Sequence, residues 1–248
     1  MIFFRYLLGF LFLGLLWQAG SVSLGEELLP DPVATFLLFF ESLATLDYLE
    51  HMGVSLLRLM AGLLAAVLTA FPLGLLFGHC RAADKAGSPL LFITYPLPKI
   101  VLLPVFFTLL GLGDASRILL IGLTTGYQIL VIVRAAALSI DPAYEKAFLS
   151  MGGTRRQALR HVYIPAALPE LFTSLKVASG TAVAVLFLAE SFATTSGLGF
   201  LIMDAWGMGD VLAMFNAILG MSVLGLFLYA LIGLAERLCC PWVFAGKN

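Results

Sequence analysis

The sequence predicts an all-α, polytopic membrane protein with about six transmembrane helices. Three observations carry this. Apolar residues make up 61% of the chain and charged residues only 12%, with a mean hydropathy of +1.02, far outside the range of soluble domains. Apolar segments approach the roughly 20 residues that a helix needs to cross a bilayer. Basic residues fall almost entirely on alternate connections between those segments. Six spans and their loops fill 248 residues, so 1–248 reads as a single transmembrane domain.

The spans are expected at about 3–22, 54–78, 88–110, 117–137, 171–190 and 211–235. The first follows Arg5 as the apolar core of a secretory signal would. Its single basic residue, and an apolar run from Tyr6 through Trp17 towards Val22, favour a retained span. The third contains "YPLPKIVLLP"; Pro96, Pro98 and Pro104 should break or kink it, leaving freed carbonyls for neighbours or water. The fifth begins around Lys176. Ser174, Ala178, Ser179, Gly180, Thr181, Ala182 and Ala184 make it an interior helix, because small side chains let backbones approach. Before the last span, Gly197 and Gly199 in "SGLG" permit a tight turn or re-entrant start. Val211–Ala235 carries no charge.

Orientation follows from Lys and Arg. The connection 23–53 has no basic residue and six acids, Glu26, Glu27, Asp31, Glu41, Asp47 and Glu50. A cytoplasmic N-terminus with six spans puts eleven of the fourteen basic residues on the cytoplasmic side: Arg5, Arg81, Lys85, Arg134, Lys146, Arg155, Arg156, Arg160, Lys176, Arg237 and Lys247. Arg58 and Arg117 fall near the outer side, and Lys99 lies within a span. Both termini are then cytoplasmic, as are Cys80, Cys239 and Cys240, where thiols stay reduced. These cysteines have no metal-ligand spacing and read as structural thiols.

Charge at membrane depth is costly and marks function by default. Lys99, beside Pro98 and near Pro96, admits two readings. It lines a translocation path that favours an anion, or it snorkels or pairs with carbonyls that the prolines free. Glu190 closes the fifth span, as part of an outer gate or as a boundary acid facing water. Arg58 and Arg134 read as interfacial anchors.

The segment "GGTRRQALRHVYIPAALPE" (152–170) is the main polar interruption on the inner side. Asp141 is a good N-cap with Pro142 at the first helical position. Tyr144, Ala147, Phe148 and Met151 then form one apolar stripe. Gly152 and Gly153 end that helix. Thr154 caps a second, with Arg155, Arg156 and Arg160 polar and Leu159, Val162 and Tyr163 apolar; Pro165 should stop it. Such a knob suits a partner's groove or, on its basic side, anionic lipid headgroups.

Several chemistries are disfavoured. His51, His79 and His161 are scattered without HExxH spacing, and no serine-protease pattern is present. There is no GxxxxGK[ST] phosphate loop, and "AGKN" at 245–248 is no substitute. An ion-coupled secondary transporter is the alternative function, but it would want several buried acids or a clear internal repeat.

The loop resembles the cytoplasmic E-A-A-x3-G-x9-I-x-L-P motif of permease subunits of binding-protein-dependent ABC importers. Gly152 is followed by Val162, Ile164 and Pro165 at matching offsets. "SLLRLMAGLLAAVLTAFPLGLLFG" (55–78), "YPLPKIVLLPVFFTLLGLGDASRILLIGL" (95–123) and "AESFATTSGLGFLI" (189–202) resemble the nitrate/sulfonate/taurine branch, so the likeness runs from about 50 to 237. One departure stands out. Lys146 holds the motif's glutamate position, Ala147 fits the first alanine, Phe148 replaces the second, and Glu145 sits one place early, a rotation of about 100°.

The resemblance implies the type I ABC importer permease architecture. It implies an ATPase-docking loop within 138–170, using Tyr144, Glu145, Lys146, Ala147, Met151, Gly152, Arg155, Val162, Ile164 and Pro165. It implies a multi-pass chain in the inner membrane, among lipid, that binds no cofactor itself; ATP belongs to a separate pair of ATPase subunits. A second permease copy, in a homodimer, and a periplasmic or lipid-anchored substrate-binding protein complete the assembly, with no nucleic acid. The solute implied is small and anionic, of the sulfonate, taurine or nitrate type. Pro96, Pro98, Lys99 and Glu190 are the candidates for its path or gate.

Overall fold

A computed structural model describes residues 2–245, without the side chains of residues 2, 3 and 5–7. The Arg5 side chain, Lys247 and most of "AGKN" therefore lie outside the described residues. All regular structure among the described residues is helical. In chain order it comprises α1 (Ile2–Leu24), α2 (Pro32–Ser42), α3 (Leu46–His79), α4 (Arg81–Thr94), a 3-10 turn (Lys99–Leu102), α5 (Leu103–Leu110) and α6 (Asp114–Ser139). Then come α7 (Pro142–Ser150), α8 (Arg155–Ala158), a π turn (Leu159–Tyr163), α9 (Ile164–Glu190), α10 (Leu198–Met208), α11 (Val211–Cys239) and α12 (Pro241–Phe244).

Among the described residues, four helical segments are long and apolar enough to cross a membrane: Leu46–His79, Asp114–Ser139, Arg155–Glu190 and Val211–Cys239. Arg81–Thr94 and Lys99–Leu110 make a fifth if the pair counts as one span, bent by 86°. The expected break at the prolines is there, and it is nearly a right angle. The expected first span coincides with α1, a helix of 23 residues, within which Leu8–Leu24 is an apolar stretch of described residues.

The chain divides into two compact units. One comprises Met1–Leu56 and Glu190–Leu224. In it the Trp17 indole N–H donates to the Pro30 carbonyl at 3.0 Å, and its ring packs against Phe36 and Phe215. Asp31 caps α2 through the Ala34 N–H, with Pro32 opening the helix. The Tyr48 hydroxyl donates to the Asn216 carbonyl at 3.0 Å, and the Asn216 amide donates to Ser42.

The other unit comprises Leu57–Ala189 and Gly225–Asn248. Here α3 and α6 pack through glycine. A Cβ on Gly62 would lie 2.6 Å from Ile121, and one on Gly78 would lie 2.3 Å from Ala137. Close backbone approach of this kind supplies dispersion contacts where lipid removes the hydrophobic drive between helices. Leu59, Leu120, Ile121, Ile129 and Val133 are fully buried around that seam. On α9, Ser174, Ala178, Ser179 and Ala182 are buried, as an interior helix requires, whereas Gly180 and Ala184 are exposed.

Candidate functional site

The 141–165 loop folds as two helices about a glycine turn. Asp141 accepts from the Ala143 N–H at 2.8 Å and Pro142 opens α7. Gly152 adopts φ +90, in the left-handed region open to glycine, and Gly153 leaves no room for a side chain because a Cβ would lie 2.2 Å from the Phe148 ring. Thr154 caps α8 in a full capping box with Gln157. The T-x-x-Q spacing of residues 154–157 is the sequence signal for that box.

Pro165 does not stop the second helix. Backbone helix continues from Arg155 to Glu190. The Ile164 N–H reaches back five residues to the Leu159 carbonyl. This π turn widens the backbone just before the proline, which lacks an N–H of its own and would crowd a regular turn. The loop therefore joins α9 rigidly, without a hinge at the proline.

The expected loop residues separate into two groups. Tyr144, Ala147, Met151, Val162 and Pro165 line one cavity of about 780 Å³, joined by Trp242 of α12. The apolar stripe expected on α7 thus faces a common space, and Tyr144 and Met151 remain 67% and 78% exposed. Glu145, Lys146, Gly152, Arg155 and Ile164 lie outside this lining. Glu145 is half-buried and accepts a hydrogen bond from the Tyr163 hydroxyl at 2.9 Å. Tyr163 is buried and meets the His79 ring edge-on at 4.3 Å. The displaced acid is therefore held by the second helix. Apolar periodicity found Tyr163 but not its hydroxyl partner.

At the break after α4, Lys99 donates to the carbonyls of Thr94 and Tyr95. Its ammonium lies 4.2 Å from the Tyr127 ring centroid and 5.3 Å from that of Tyr95. Lys99 thus bonds carbonyls at the end of the helix that the prolines break, one of which, that of Thr94, also accepts the Leu97 N–H at 3.3 Å, with no carboxylate against Lys99 among the described residues. Pro98 and Lys99 line a mainly apolar cavity of about 340 Å³ with Thr94, Leu123 and Tyr127. Pro96 sits in the break and does not line it.

Glu190 belongs to the other unit and is not a boundary acid facing water. It is 1% exposed. Ser55 donates to its carboxylate at 2.8 Å, and the Gly199 N–H donates at 2.9 Å. The Leu198 N–H donates to the Ser55 oxygen in turn, and the Gly197 N–H donates to His51 Nδ1. Gly197 has φ +106, and a Cβ there would lie 2.4 Å from the Glu190 carboxyl. The "SGLG" turn thus closes on an acid.

The arginines expected as interfacial anchors are internally paired instead. Arg58, 3% exposed, bonds Asp114 at 2.7 Å, and Arg134 makes a two-pronged pair with Asp84 at 2.6 and 2.9 Å. Arg117 is 1% exposed and donates to the carbonyls of Leu112, Gly113 and Ala189. Lys176 pairs with Glu236. Each pairs groups far apart in sequence, or reaches carbonyls that only the fold exposes.

Residues 66–238, well over half of the chain, match the family described as binding-protein-dependent transport system inner membrane component. The chain belongs to this family. It is similar to the taurine transport system permease protein of Escherichia coli (strain K12), 33% identical over 196 residues, covering 78% of this chain and 70% of that one. The formylaminopyrimidine transport permease protein of Halalkalibacterium halodurans is 28% identical, covering 94% and 93% of the two chains. The putative aliphatic sulfonates transport permease protein of Bacillus subtilis (strain 168) is 25% identical, covering 92% and 83%. Among solved structures, one of the MetNI methionine ABC transporter in an inward-facing conformation matches with a TM-score of 0.61. At 22% identity, over 77% of this chain and 94% of that one, it shows the fold alone.

This permease is therefore a transport subunit of the ABC importer type rather than an enzyme. Membership implies an ATPase and a substrate-binding protein as partners in general. Its helices are those of a multi-pass membrane protein.

Proposed function

We propose that this permease forms the translocation path of an importer in the inner membrane, with the 141–165 loop inward and docked in a groove of a separate ATPase subunit. One observation carries the docking reading. Tyr144 and Met151 stand exposed on α7 and its C-cap, and the Glu145–Tyr163 bond ties that helix across the glycine turn to the helix that runs on into α9. A rigid apolar knob transmits force from a partner into a span, whereas a flexible loop would absorb it. ATP sits on the partner, and two ATPases act on two copies of this permease. Eleven of fourteen basic residues favour the loop side as cytoplasmic, with both termini there. The acidic 23–53 connection then faces outward, towards a periplasmic or lipid-anchored binding protein.

The solute is proposed as a small molecule or ion that presents an anionic group, of the sulfonate, taurine or nitrate type. Two relatives named for taurine and aliphatic sulfonates support this. So does Lys99, whose charge meets carbonyls and aromatic faces but no acid among the described residues. Relatives named for formylaminopyrimidine and riboflavin widen the candidates beyond anions.

The docking test is co-purification of the ATPase with wild type and with Met151→Asp, which places a charge in the apolar contact. Recovery of the ATPase and coupled hydrolysis should fall together. Unchanged recovery with Met151→Asp would end the docking reading. For the solute, uptake of radiolabelled taurine, an alkanesulfonate, nitrate and riboflavin by proteoliposomes of the full importer should favour one of the first three. Riboflavin uptake alone would reject the anionic class.

A further inference from the structure

The docking loop carries two acids and four bases between Asp141 and Pro165, and the structure treats the two signs differently. Asp141 is committed to the N-terminus of α7 through Ala143. Glu145 is committed to Tyr163. Lys146, Arg155, Arg156 and Arg160 are exposed and form no ion pair among the described residues. The uncommitted charge between Asp141 and Pro165 is therefore all positive, and His161 stacks on Phe148.

Arg155 and Arg156 stand in the first turn of α8, directly after its Thr154 cap. That end of a helix has exposed N–H groups and a positive field, which disfavours cations. Neither arginine forms an ion pair among the described residues, and the nearby exposed acid, Glu170, lines the cavity beside Tyr144 and Met151 without pairing to them. Two arginines kept there at a cost to the isolated helix are explained by negative charge supplied from outside.

Resting on the docking reading above, we infer that the ATPase groove receiving this loop is acidic, and that Lys146, Arg155 and Arg156 pair with its carboxylates around the apolar Tyr144–Met151 contact. The arrangement is that of an ordinary interface, an apolar centre within a polar rim. Complementary charge there sets register and partner choice and speeds encounter. Glu145, sequestered by Tyr163, contributes rigidity and no repulsion. Anionic lipid headgroups are the other source of negative charge, and exposed apolar Tyr144 and Met151 on the same loop favour protein.

The test measures recovery of the purified ATPase subunit on immobilised full-length permease, in lipid-free detergent and in nanodiscs of phosphatidylcholine with and without phosphatidylglycerol. Lys146→Glu with Arg155→Glu should lower apparent affinity about tenfold or more in all three settings. Neutral Lys146→Gln with Arg155→Gln should give a smaller loss, and added salt should weaken the wild-type complex. An acid-to-lysine change on the ATPase groove should restore binding to the reversed permease. If charge variants stay within twofold of wild type while Met151→Asp abolishes binding, docking stands and the acidic groove falls. If charge matters only with phosphatidylglycerol present, the cations serve lipid and the inference falls. If Met151→Asp also leaves binding intact, the docking reading falls with it.

Discussion

The Tyr163 hydroxyl donates to Glu145 across 2.9 Å, so the acid of the first loop helix is held by the residue that ends the π turn of the second. The bond spans the glycine turn and makes the two helices one body. Tyr163→Phe keeps the ring against His79 but leaves the carboxylate without its donor. The loss should be about 1 kcal/mol, roughly a fivefold change in local opening. Limited proteolysis at the Gly152–Gly153 turn should speed up by that order in Tyr163→Phe. Glu145→Gln, which keeps an acceptor, should change much less. Equal cleavage rates for Tyr163→Phe and wild type would show that the bond does not order the loop.

The two turn glycines should fail for different reasons. Gly152 has open space at its Cβ but φ +90, so Gly152→Ala costs about 1–2 kcal/mol of left-handed backbone strain. Gly153→Ala would instead strike the Phe148 ring at 2.2 Å and its carbonyl oxygen at 2.9 Å. Shrinking the neighbour with Phe148→Ala should therefore partly rescue Gly153→Ala and leave Gly152→Ala unrescued. ATPase recovery on the purified permease reads both. Equal rescue of the two would contradict the distinction.

The sequence showed this loop well because its signals are local. Asp141, Pro142, Gly152 and Thr154 act on backbone within a few residues of themselves. Pro165 misled for the same reason: its helix-ending tendency is local, and the π turn that accommodates it depends on packing of the whole second helix. The long-range pairs were illegible. Arg58 with Asp114, Arg134 with Asp84 and Lys176 with Glu236 lie 50 to 60 residues apart, and hydropathy placed each partner separately. Arg117 shows the limit most clearly. Three of its partners are backbone carbonyls, which no side-chain pattern announces. The 86° bend after Thr94 was foreseeable as a break at the prolines, but its angle was not.

Adjacent cysteines should behave differently towards alkylation. Cys239 is exposed, whereas Cys240 is fully buried beyond the end of α11. Burial pushes the Cys240 thiol above its ordinary range, helped by nearby Cys239 and Glu236. The thiolate is the nucleophile. At a given pH below that range, Cys240 therefore holds less reactive form than a free thiol, and raising the pH should speed its labelling. Mass spectrometry after a maleimide pulse near neutral pH should find Cys239 labelled first and Cys240 protected. Comparable rates at neutral pH would overturn the assignment.

Glu190 tests whether a buried acid holds the turn before α10. The Ser55 oxygen already accepts the Leu198 N–H at 2.8 Å, so its single proton points to Glu190. The Gly199 N–H also donates to the same carboxylate oxygen. Glu190→Gln keeps the size and removes one acceptor, setting an amide N–H₂ among donors. An unsatisfied buried group costs about 1–3 kcal/mol, which for a chain of this length lowers Tm by about 2–4 °C per kcal/mol. Gly197→Ala should be worse, because it combines φ +106 with a Cβ 2.4 Å from the same carboxyl. Combining the two should cost less than their sum, since both act on one contact. Thermal unfolding of the purified permease in detergent reads the series. A Glu190→Gln transition that coincides with wild type, or strictly additive losses, would show that the turn is held by something other than this carboxylate.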